Sequence, residues 1–451
     1  MKNLVLIVIL CITYISNAQT LSYNDLGVLF AGEQINGTAR YNGMSGAFGA
    51  LGGDLSAMEA NPAGAAIFVN SEYSLSLDIR SSTIGSTFYG TKELTENDYL
   101  SLSQAGGVFV FKNYNRNNSG WGKFALGFNY SKINDFENMW IASGNSGFAP
   151  ITDIYDPSVI YNVSDGHYFE NITDGRNNKY SFTIASEYND NLYVGFAVNT
   201  YDIEYSQRVL TDEYNSDGGG NKFDISQTQD LITYGDGVSF NFGLISKLNE
   251  NIRIGLAYQT PVWYNLAEEF VEYDVDIYEK NVNITNEYPP QDTYSGVNGF
   301  EYQLKTPSKL TTSFAYIFDK KGLLSVDYIY KNYSNIKLSN GNFSNENQEF
   351  TSDLKSVGEF RIGTEWRFDE LSIRGGYFTE KSPYKTSISS DNIEGFSIGA
   401  GYKFRGAKFD VSYQQKTNTA PYNFYPDSNV VNGAELNFET SKVTATLVLN
   451  L

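Results

Sequence analysis

Residues that commonly ligate soft metals or haem are nearly absent from the chain. Its 451 residues include one His, one Cys and four Met. The single His, His167, lies near Asp165, Asn171 and Asp174, and no Ser has the glycine pattern of a nucleophile elbow around it. We therefore expect no enzymatic activity, no metal site and no cofactor.

The chain also lacks any internal run of about 20 apolar residues, the length that a membrane-spanning helix requires. This excludes a helical membrane protein. It does not exclude a membrane β-barrel, because the strands of such a barrel are apolar on one face only. The chain is rich in the residues that such strands use, with 35 Tyr, 30 Phe and 41 Gly.

Positive charge is scarce, since 32 basic and 52 acidic residues leave a formal net charge of −20. A nucleic-acid partner is excluded, because phosphate binding needs a concentrated basic surface. Loops rich in Asp, Asn and Gly could offer oxygen ligands to Ca²⁺, but their spacing matches no EF-hand loop.

The first residues have the pattern of a secretory signal peptide. Lys2 provides the positive region, Leu4 to Ile12 the apolar region and Ser16-Asn17-Ala18 the small-residue end, which predicts residues 1–18 as the signal with cleavage after Ala18. The only Cys, Cys11, lies within it. An exported chain of this size without disulfides indicates the envelope of a Gram-negative bacterium.

From about residue 72 onward, apolar and polar residues alternate in segments of roughly ten residues. Phe124, Leu126 and Phe128, for example, alternate with Ala125 and Gly127. Fourteen such segments are present, at about 72–82, 104–112, 123–130, 180–187, 192–199, 238–244, 252–258, 310–318, 324–330, 360–368, 371–377, 396–404, 409–413 and 443–451.

The connections between these segments alternate between long and short. The long ones cover about 83–103, 134–178, 207–236, 276–299, 338–354, 381–393 and 417–436. Outer-membrane barrels have this asymmetry, with tight periplasmic turns and long extracellular loops. The pattern predicts an all-β fold, a 14-stranded antiparallel transmembrane β-barrel over residues 71–451 with seven long extracellular loops.

A soluble β-sandwich or propeller also alternates along its strands. In this chain the charged strand residues, such as Asp327, Arg361 and Asp410, fall opposite the apolar face. Tyr and Trp near the segment ends, such as Tyr130 and Tyr180, are placed as aromatic girdles would be. Together with the signal peptide and the alternating connections, these features favour the barrel.

Residues 19–70 do not alternate and combine glycines with apolar residues such as Phe48, Leu51 and Met58. A soluble linker has fewer apolar residues. A barrel of fourteen strands encloses a lumen wider than its own side chains fill. We expect the segment to fold into the lumen as a hatch, with Asn61 capping a turn that Pro62 fixes.

The sequence between Ala39 and Gly64, ARYNGMSGAFGALGGDLSAMEANPAG, resembles the N-terminal hatch of the FadL/TodX family of outer-membrane transporters for long-chain fatty acids and other hydrophobic compounds. In that family a run rich in glycine and alanine leads into Asn-Pro-Ala just before the first strand. The later segment is similar to a mid-barrel strand pair of the family, on the stretches from Thr306-Pro307 to Tyr316, from Ser325 to Tyr328 and from Tyr333 to Asn335. The resemblance marks the following residues as the hatch and its gate: Gly43, Gly46, Gly49, Asn61, Pro62, Ala63 and Gly64.

The resemblance implies a passive, monomeric channel for hydrophobic small molecules such as fatty acids. Ligand would be captured among the extracellular loops, pass to a pocket inside and leave sideways into outer-membrane lipid when the hatch shifts. In the family the wall opening lies at a kink in the third strand. Gly120, Gly122 and Gly127 of the third segment here are the candidates for it.

Apolar residues in and beside the long loops are candidates for ligand capture, because such a cluster exceeds what solvation needs. They are Phe136, Met139, Trp140, Ile141, Phe148, Trp263 and Leu266. Packing of one loop against another is the competing interpretation. Two further functions stay open: some relatives of the family serve type IX protein secretion as cargo-binding barrels, and haem binding through His167 or a Tyr is a label attached to others.

Overall fold

The computed structural model describes residues 21–112, 120–149, 151–153, 156, 158–273, 276–279, 282–284, 297–319, 321–425 and 431–451. The predicted signal peptide, residues 1–18, lies outside them. Within these ranges, no helix is both long and apolar enough to cross a bilayer.

Fourteen antiparallel strands close into one barrel, as the alternation predicts. They are β1 (Glu72–Phe88), β2 (Thr91–Lys112), β3 (Trp121–Asp135), β4 (Val163–Tyr188), β5 (Leu192–Ser216), β6 (Lys222–Lys247), β7 (Ile252–Gln259 and Trp263–Glu272), β8 (Val297–Lys305 and Lys309–Phe318), β9 (Gly322–Asn332), β10 (Ser356–Phe368), β11 (Leu371–Glu380), β12 (Ile393–Phe404), β13 (Ala407–Tyr422) and β14 (Ala434–Asn450). Each predicted segment lies on one of them. Pairing of β14 with β1, from Glu72↔Asn450 to Thr87↔Glu435, closes the ring.

The two faces of the barrel wall are inverted relative to a soluble protein. On β1 the outward Leu75 and Ile79 are 49% and 52% exposed, whereas the inward Ser76 and Asp78 are buried. A polar lumen and an apolar outer band are what a strand with one face toward lipid requires. The inward charges at Asp327 and Asp410 agree with the sequence pattern.

Much of what the sequence suggests as loop is extended strand. Tyr89 and Gly90, with φ of +44° and +88°, turn β1 directly into β2, so most of the predicted loop 83–103 is paired. Residues 217–221 connect β5 to β6 in the same way. Strands β4 to β6 have 25 or 26 residues, which at about 3.4 Å each reach roughly 85 Å, far beyond an apolar band of bilayer thickness.

The remaining elements are short. Among the described residues, the helices are α1 (Tyr23–Ala31), α2 (Ala39–Asn42), α3 (Ala57–Ala60) and α4 (Ser344–Asp353), and 3₁₀ turns cover Pro62–Ile67, Tyr333–Asn335 and Ser389–Asp391. Short strands cover Asn138–Gly144, Ile151–Thr152, Ile160–Tyr161, Asp276–Glu279, Val282–Asn283 and Lys337–Ser339.

Two neighbouring strands are interrupted at Thr-Pro dipeptides. Pro261 divides β7 and Pro307 divides β8, because proline has no N–H to donate to the ladder. The threonine hydroxyls take part in the ladder instead: Thr260 Oγ1 accepts from the Phe240 N–H at 3.0 Å, and Thr306 Oγ1 accepts from the Val262 N–H at 2.9 Å. The two strands bend without leaving these N–H groups unpaired.

Residues 21–70 lie inside the barrel, and we call them the hatch. Helix α1 packs among inward side chains of the long-connection half, where Leu26 and Phe30 join a buried cluster with Tyr205 and Tyr264. The chain then descends through α2 and α3 toward the short-turn end and enters β1. Met44, Phe48 and Ala57 are fully buried on the way.

Candidate functional site

Asn61 holds the lower hatch, the part nearest the short-turn end, against the barrel wall. Its Nδ2 donates to the carbonyl oxygen of Gly49 at 2.7 Å and to that of Leu244 on β6 at 3.2 Å, while its Oδ1 accepts from the Ala63 N–H at 3.1 Å. The Asn61 side chain is fully buried. Its predicted cap on the turn that begins at Pro62 is present.

Glycines of the wall face the hatch where no side chain fits. A Cβ on Gly243 of β6 would lie 2.0 Å from Asn61 Oδ1, and one on Gly195 of β5 would lie 2.3 Å from the Pro62 carbonyl carbon. One on Gly255 of β7 would lie 2.2 Å from the Gly49 oxygen. The Asn61-Pro62-Ala63 turn therefore packs directly on wall backbone.

The hatch glycines make matching approaches. A Cβ on Gly43 would lie 3.3 Å from the Cα of Gly399, and one on Gly64 would lie 2.9 Å from the Cα of Gly52. Gly46 has φ of +70°, the left-handed region. The Gly49 N–H donates to Asp327 Oδ2 at 2.9 Å. All seven residues predicted for the hatch and its gate are buried in this packed segment, and their role in gating stays a prediction.

Buried ion pairs join the hatch to the wall. Arg40 of α2 reaches Glu365 of β10 at 2.7 Å, Glu365 also pairs with Arg374 at 2.7 Å, and Arg374 pairs with Asp410 at 2.6 Å. Arg374 and Asp410 are almost completely buried. Charges so deep in the lumen need partners of opposite sign, because an unpaired buried charge is strongly destabilising.

The barrel wall is incomplete between β2 and β3 in its upper half, on the side of the long connections. Their pairing runs from Lys112↔Lys123 to Gln104↔Ser131 and stops there. Within the described residues, Thr91–Leu102 pair with β1 only, and Ser103 is the extra residue of a bulge. We call this interruption the wall gap. The outward Leu100 beside it is 72% exposed.

The wall gap arises because the chain after Ser131 bends into the lumen. Residues Asn138–Gly144 continue to pair with β4 but cross behind the β1–β2 hairpin, where Ser86 Oγ donates to the Ile141 oxygen at 2.6 Å. Arg80 of β1 holds the bend through Asp135, at 3.0 Å, and through the Glu137 oxygen, at 2.6 Å.

The three glycines predicted for a wall opening lie below this bend. The register of β3 shifts between Trp121 and Lys123, which makes Gly122 a bulge. Gly127 pairs with Val108 and packs on Met58 of the hatch. Pairing with β2 is present at Gly127, and within the described residues the wall gap begins at Ser131.

A cavity of about 700 Å³ lies between α1, the bend of β3 and the wall strands β10 to β14. Its apolar lining includes Leu21, Val28, Leu29, Phe136, Trp140, Tyr205, Phe378, Tyr422, Leu436 and Phe438. Arg80, Asn134 and Asp135 line it as well, so the cavity extends to the residues that border the wall gap.

A row of cations lies on one wall of this cavity. Arg80 is paired in register with Lys442, and Lys416 lies beside them on β13. Lys442 donates to the Ile35 oxygen at 2.7 Å and to Asn36 Oδ1 at 3.1 Å. Among the described residues, neither Lys416 nor Lys442 has a carboxylate within 4.0 Å, the limit for a salt bridge.

The predicted capture residues divide into three groups. Phe136 and Trp140 line the cavity. Leu266 is buried in the upper cluster, while Met139 and Ile141 are half-buried beside the β1–β2 hairpin. Phe148 and Trp263 are 39% and 42% exposed and do not reach the cavity.

Sequence reasoning missed Lys416, Lys442 and the residues that α1 contributes to the cavity. The charged residues on the inward faces of β13 and β14 were a usable signal, but only the strand register shows that they are neighbours.

His167 is 4% exposed and packs against Phe88, Phe169 and Tyr425. Within the described ranges, no group of three or more His, Cys, Asp or Glu side chains could hold a metal ion.

The fold is shared with solved structures of low sequence identity. A FadL homologue from Pseudomonas aeruginosa superposes with a TM-score of 0.63 at 14% identity, covering 93% of this chain and 99% of the other. The toluene transporter TodX of Pseudomonas putida has a TM-score of 0.53 at 11% identity, covering 93% and 100%. The monoaromatic hydrocarbon channel CymD has 0.52 at 12%, covering 93% and 98%. No protein-family model matches the chain, and no curated protein is significantly similar to it.

Proposed function

We propose that this protein is a member of the FadL/TodX family, a passive outer-membrane channel of a Gram-negative bacterium for hydrophobic compounds. The cavity between the hatch and the wall carries the proposal, because it combines an extended apolar lining with access to the wall gap. The fold supports it, because it is shared with a FadL homologue and with proteins named as a toluene transporter and a monoaromatic hydrocarbon channel.

Long-chain fatty acids are the substrate class that we propose within this function. Lys416 and Lys442 face an apolar cavity without carboxylate partners among the described residues. A carboxylate head group would supply the missing charge while its alkyl chain contacts the apolar lining. An uncharged hydrocarbon would leave both ammonium groups without a carboxylate at salt-bridge distance, since the carboxylates that line the cavity, such as Glu380 and Asp135, lie farther away.

The proposed routes by which ligand enters and leaves the cavity both keep it out of water. Phe136 and Trp140 offer the apolar surface that receives ligand from the long-connection end. The wall gap, rather than the closed short-turn end, is the proposed exit, since it delivers an amphiphile directly into the outer leaflet. The packed lower hatch blocks the alternative route down the lumen.

Uptake of labelled oleate by cells that lack their own fatty acid channel tests the function. Cells that produce the intact protein should take up oleate faster than cells with the empty vector. Equal uptake across chain lengths, with the barrel demonstrably present in the outer membrane, would reject the fatty acid function. Toluene uptake by the same cells distinguishes a hydrocarbon channel from an acid channel.

The cation row is tested by the double variant Lys416→Ala, Lys442→Ala. We expect it to lose oleate uptake while keeping any uptake of toluene, because only the acid needs the ammonium groups. Lys403→Ala, on the exposed short-turn end of β12, is the matched control and should behave like the unmodified protein.

A further inference from the structure

The hatch contacts the bend of β3 through backbone and side-chain hydrogen bonds. The Gln34 N–H donates to the Ile133 oxygen at 2.9 Å, and Asn36 Nδ2 donates to the Lys132 oxygen at 2.7 Å. In the other direction, Asn134 Nδ2 donates to the Gly32 oxygen at 2.7 Å. The hatch thereby provides partners to the part of β3 that has lost β2.

Apolar packing strengthens the same junction. Phe30, Phe136 and Tyr205 form a triad of edge-to-face rings with centroids 5.4 to 5.9 Å apart. Ile133 belongs to the same buried cluster and is 5% exposed. Such aromatic pairs stabilise contacts beyond the area that they bury.

A carboxylate of the lower hatch marks the point where β3 leaves β2. Glu59 of α3 accepts from Ser131 Oγ at 2.7 and 2.9 Å and from Asn129 Nδ2. Ser131 is the last residue of β3 that pairs with β2. The hatch therefore contacts β3 both where its pairing with β2 ends and along the bend beyond it.

On the opposite side of the wall gap, β2 has an open edge. The backbone groups of Leu100–Ser103 that point toward the gap have no ladder partner among the described residues. Open strand edges are costly at membrane depth and readily accept another strand. Counted on from Gln104↔Ser131, the segment 132–135 lies opposite Leu100–Ser103, and each strand has a bulge in this stretch, at Ser103 and at Ile133.

We infer that the hatch segment Gly32–Asn36, which we call the strap, holds β3 away from β2 and so keeps the wall gap open. Without these bonds, residues 132–135 would pair with Leu100–Ser103 and close the wall. The hatch then has two roles: it fills the lumen, and its segment Gly32–Asn36 keeps the wall gap open. The inference rests on hydrogen bonding in the protein alone and does not require that fatty acids are the ligand.

Disulfide trapping in the purified, refolded protein tests this role. The variant Leu102→Cys, Ile133→Cys places thiols at positions that face each other only if regular pairing, without the bulges at Ser103 and Ile133, continues past Ser131. Opposite Cβ atoms then come within about 5.5 Å. In the structure Leu102 faces outward and Ile133 is buried against the hatch. The chain's only cysteine, Cys11, lies in the predicted signal peptide, which the refolded protein omits.

The strap is weakened in this background by Asn36→Ala with Asn134→Ala. Losing these hydrogen bonds shifts a two-state equilibrium by roughly tenfold, so we expect the cross-linked fraction under mild oxidation to rise by about that factor. Tyr23→Phe is the matched control, because it removes a hatch hydrogen bond to Glu268 on β7 without touching β3. It should leave the fraction unchanged.

Phe30→Ala is a second route to the same state, because it removes the ring that packs on Phe136. Migration before and after heating shows which variants retain a folded barrel. An unchanged cross-linked fraction in the folded strap variants would overturn the inference, and so would an equal rise in Tyr23→Phe. Cells that fail to take up oleate would reject the proposed function and leave this result standing.

Discussion

At the scale of single residues, glycines of the wall let the hatch pack directly against strand backbone, because they have no side chain. Gly243 lies against the Asn61-Pro62 turn with no room for a side chain, whereas the nearest neighbour of a Cβ on Gly375 is 3.8 Å away. We expect Gly243→Ala to lower the free energy of unfolding by about 1–3 kcal/mol, because the hatch must move to accommodate it. Urea unfolding in detergent micelles, followed by tryptophan fluorescence, measures the change.

Gly375→Ala is the control for this prediction, since it adds the same methyl group to a wall strand at an uncrowded position. Its unfolding midpoint should stay close to that of the unmodified protein. Equal losses in both variants would mean that strand propensity, and not contact with the hatch, explains the glycines.

Glu365 forms ion pairs with three guanidinium groups at once. Arg40 and Arg374 reach it from the buried side, and Arg367 pairs with it at 2.7 Å. Glu365→Gln keeps the shape but leaves these cations short of a partner, so we expect a loss of about 3–5 kcal/mol in the free energy of unfolding. Glu435→Gln, at an exposed position of β14, provides the comparison, and similar stabilities of the two variants would contradict the prediction.

At the scale of elements, the strands were predictable and their irregularities were not. Alternation locates all fourteen strands because a side chain toward lipid and a side chain toward the lumen obey different chemistry at every second position. The bend after Ser131 has no such local signal. It depends on bonds from Gly32, Gln34 and Asn36, roughly a hundred positions earlier in the chain.

The interruptions of β7 and β8 show how the barrel wall accommodates proline. Val262 is 4% exposed, and its N–H depends on Thr306 Oγ1. Thr306→Val keeps the shape but removes the acceptor, so we expect the free energy of unfolding to fall by about 1–3 kcal/mol. Thr306→Ser retains the hydroxyl and should recover most of the loss in the same urea titration. If Val and Ser behave alike, packing rather than the hydrogen bond maintains the break.

At the scale of the whole molecule, the sequence predicts a barrel with an internal hatch, while the cavity depends on how they fit together. Lys416 and Lys442 lie on different strands, and α1 comes from another part of the chain. Only barrel closure and the descent of the hatch bring these residues around one space. The location of the cavity therefore follows from tertiary packing and not from composition.

The proposed route makes a prediction for the molecule as a whole. Ser45 of the hatch and Ser397 of β12 are buried with their Oγ atoms 2.8 Å apart, so Ser45→Cys with Ser397→Cys brings two thiols within disulfide reach. Oxidation would tether the lower hatch to the wall. If ligand leaves through the wall gap, oleate uptake by oxidised cells should equal uptake by reduced cells, because the exit lies above the tether. If ligand passes down the lumen, oxidation should stop uptake and a reductant should restore it, and that result would reject lateral release.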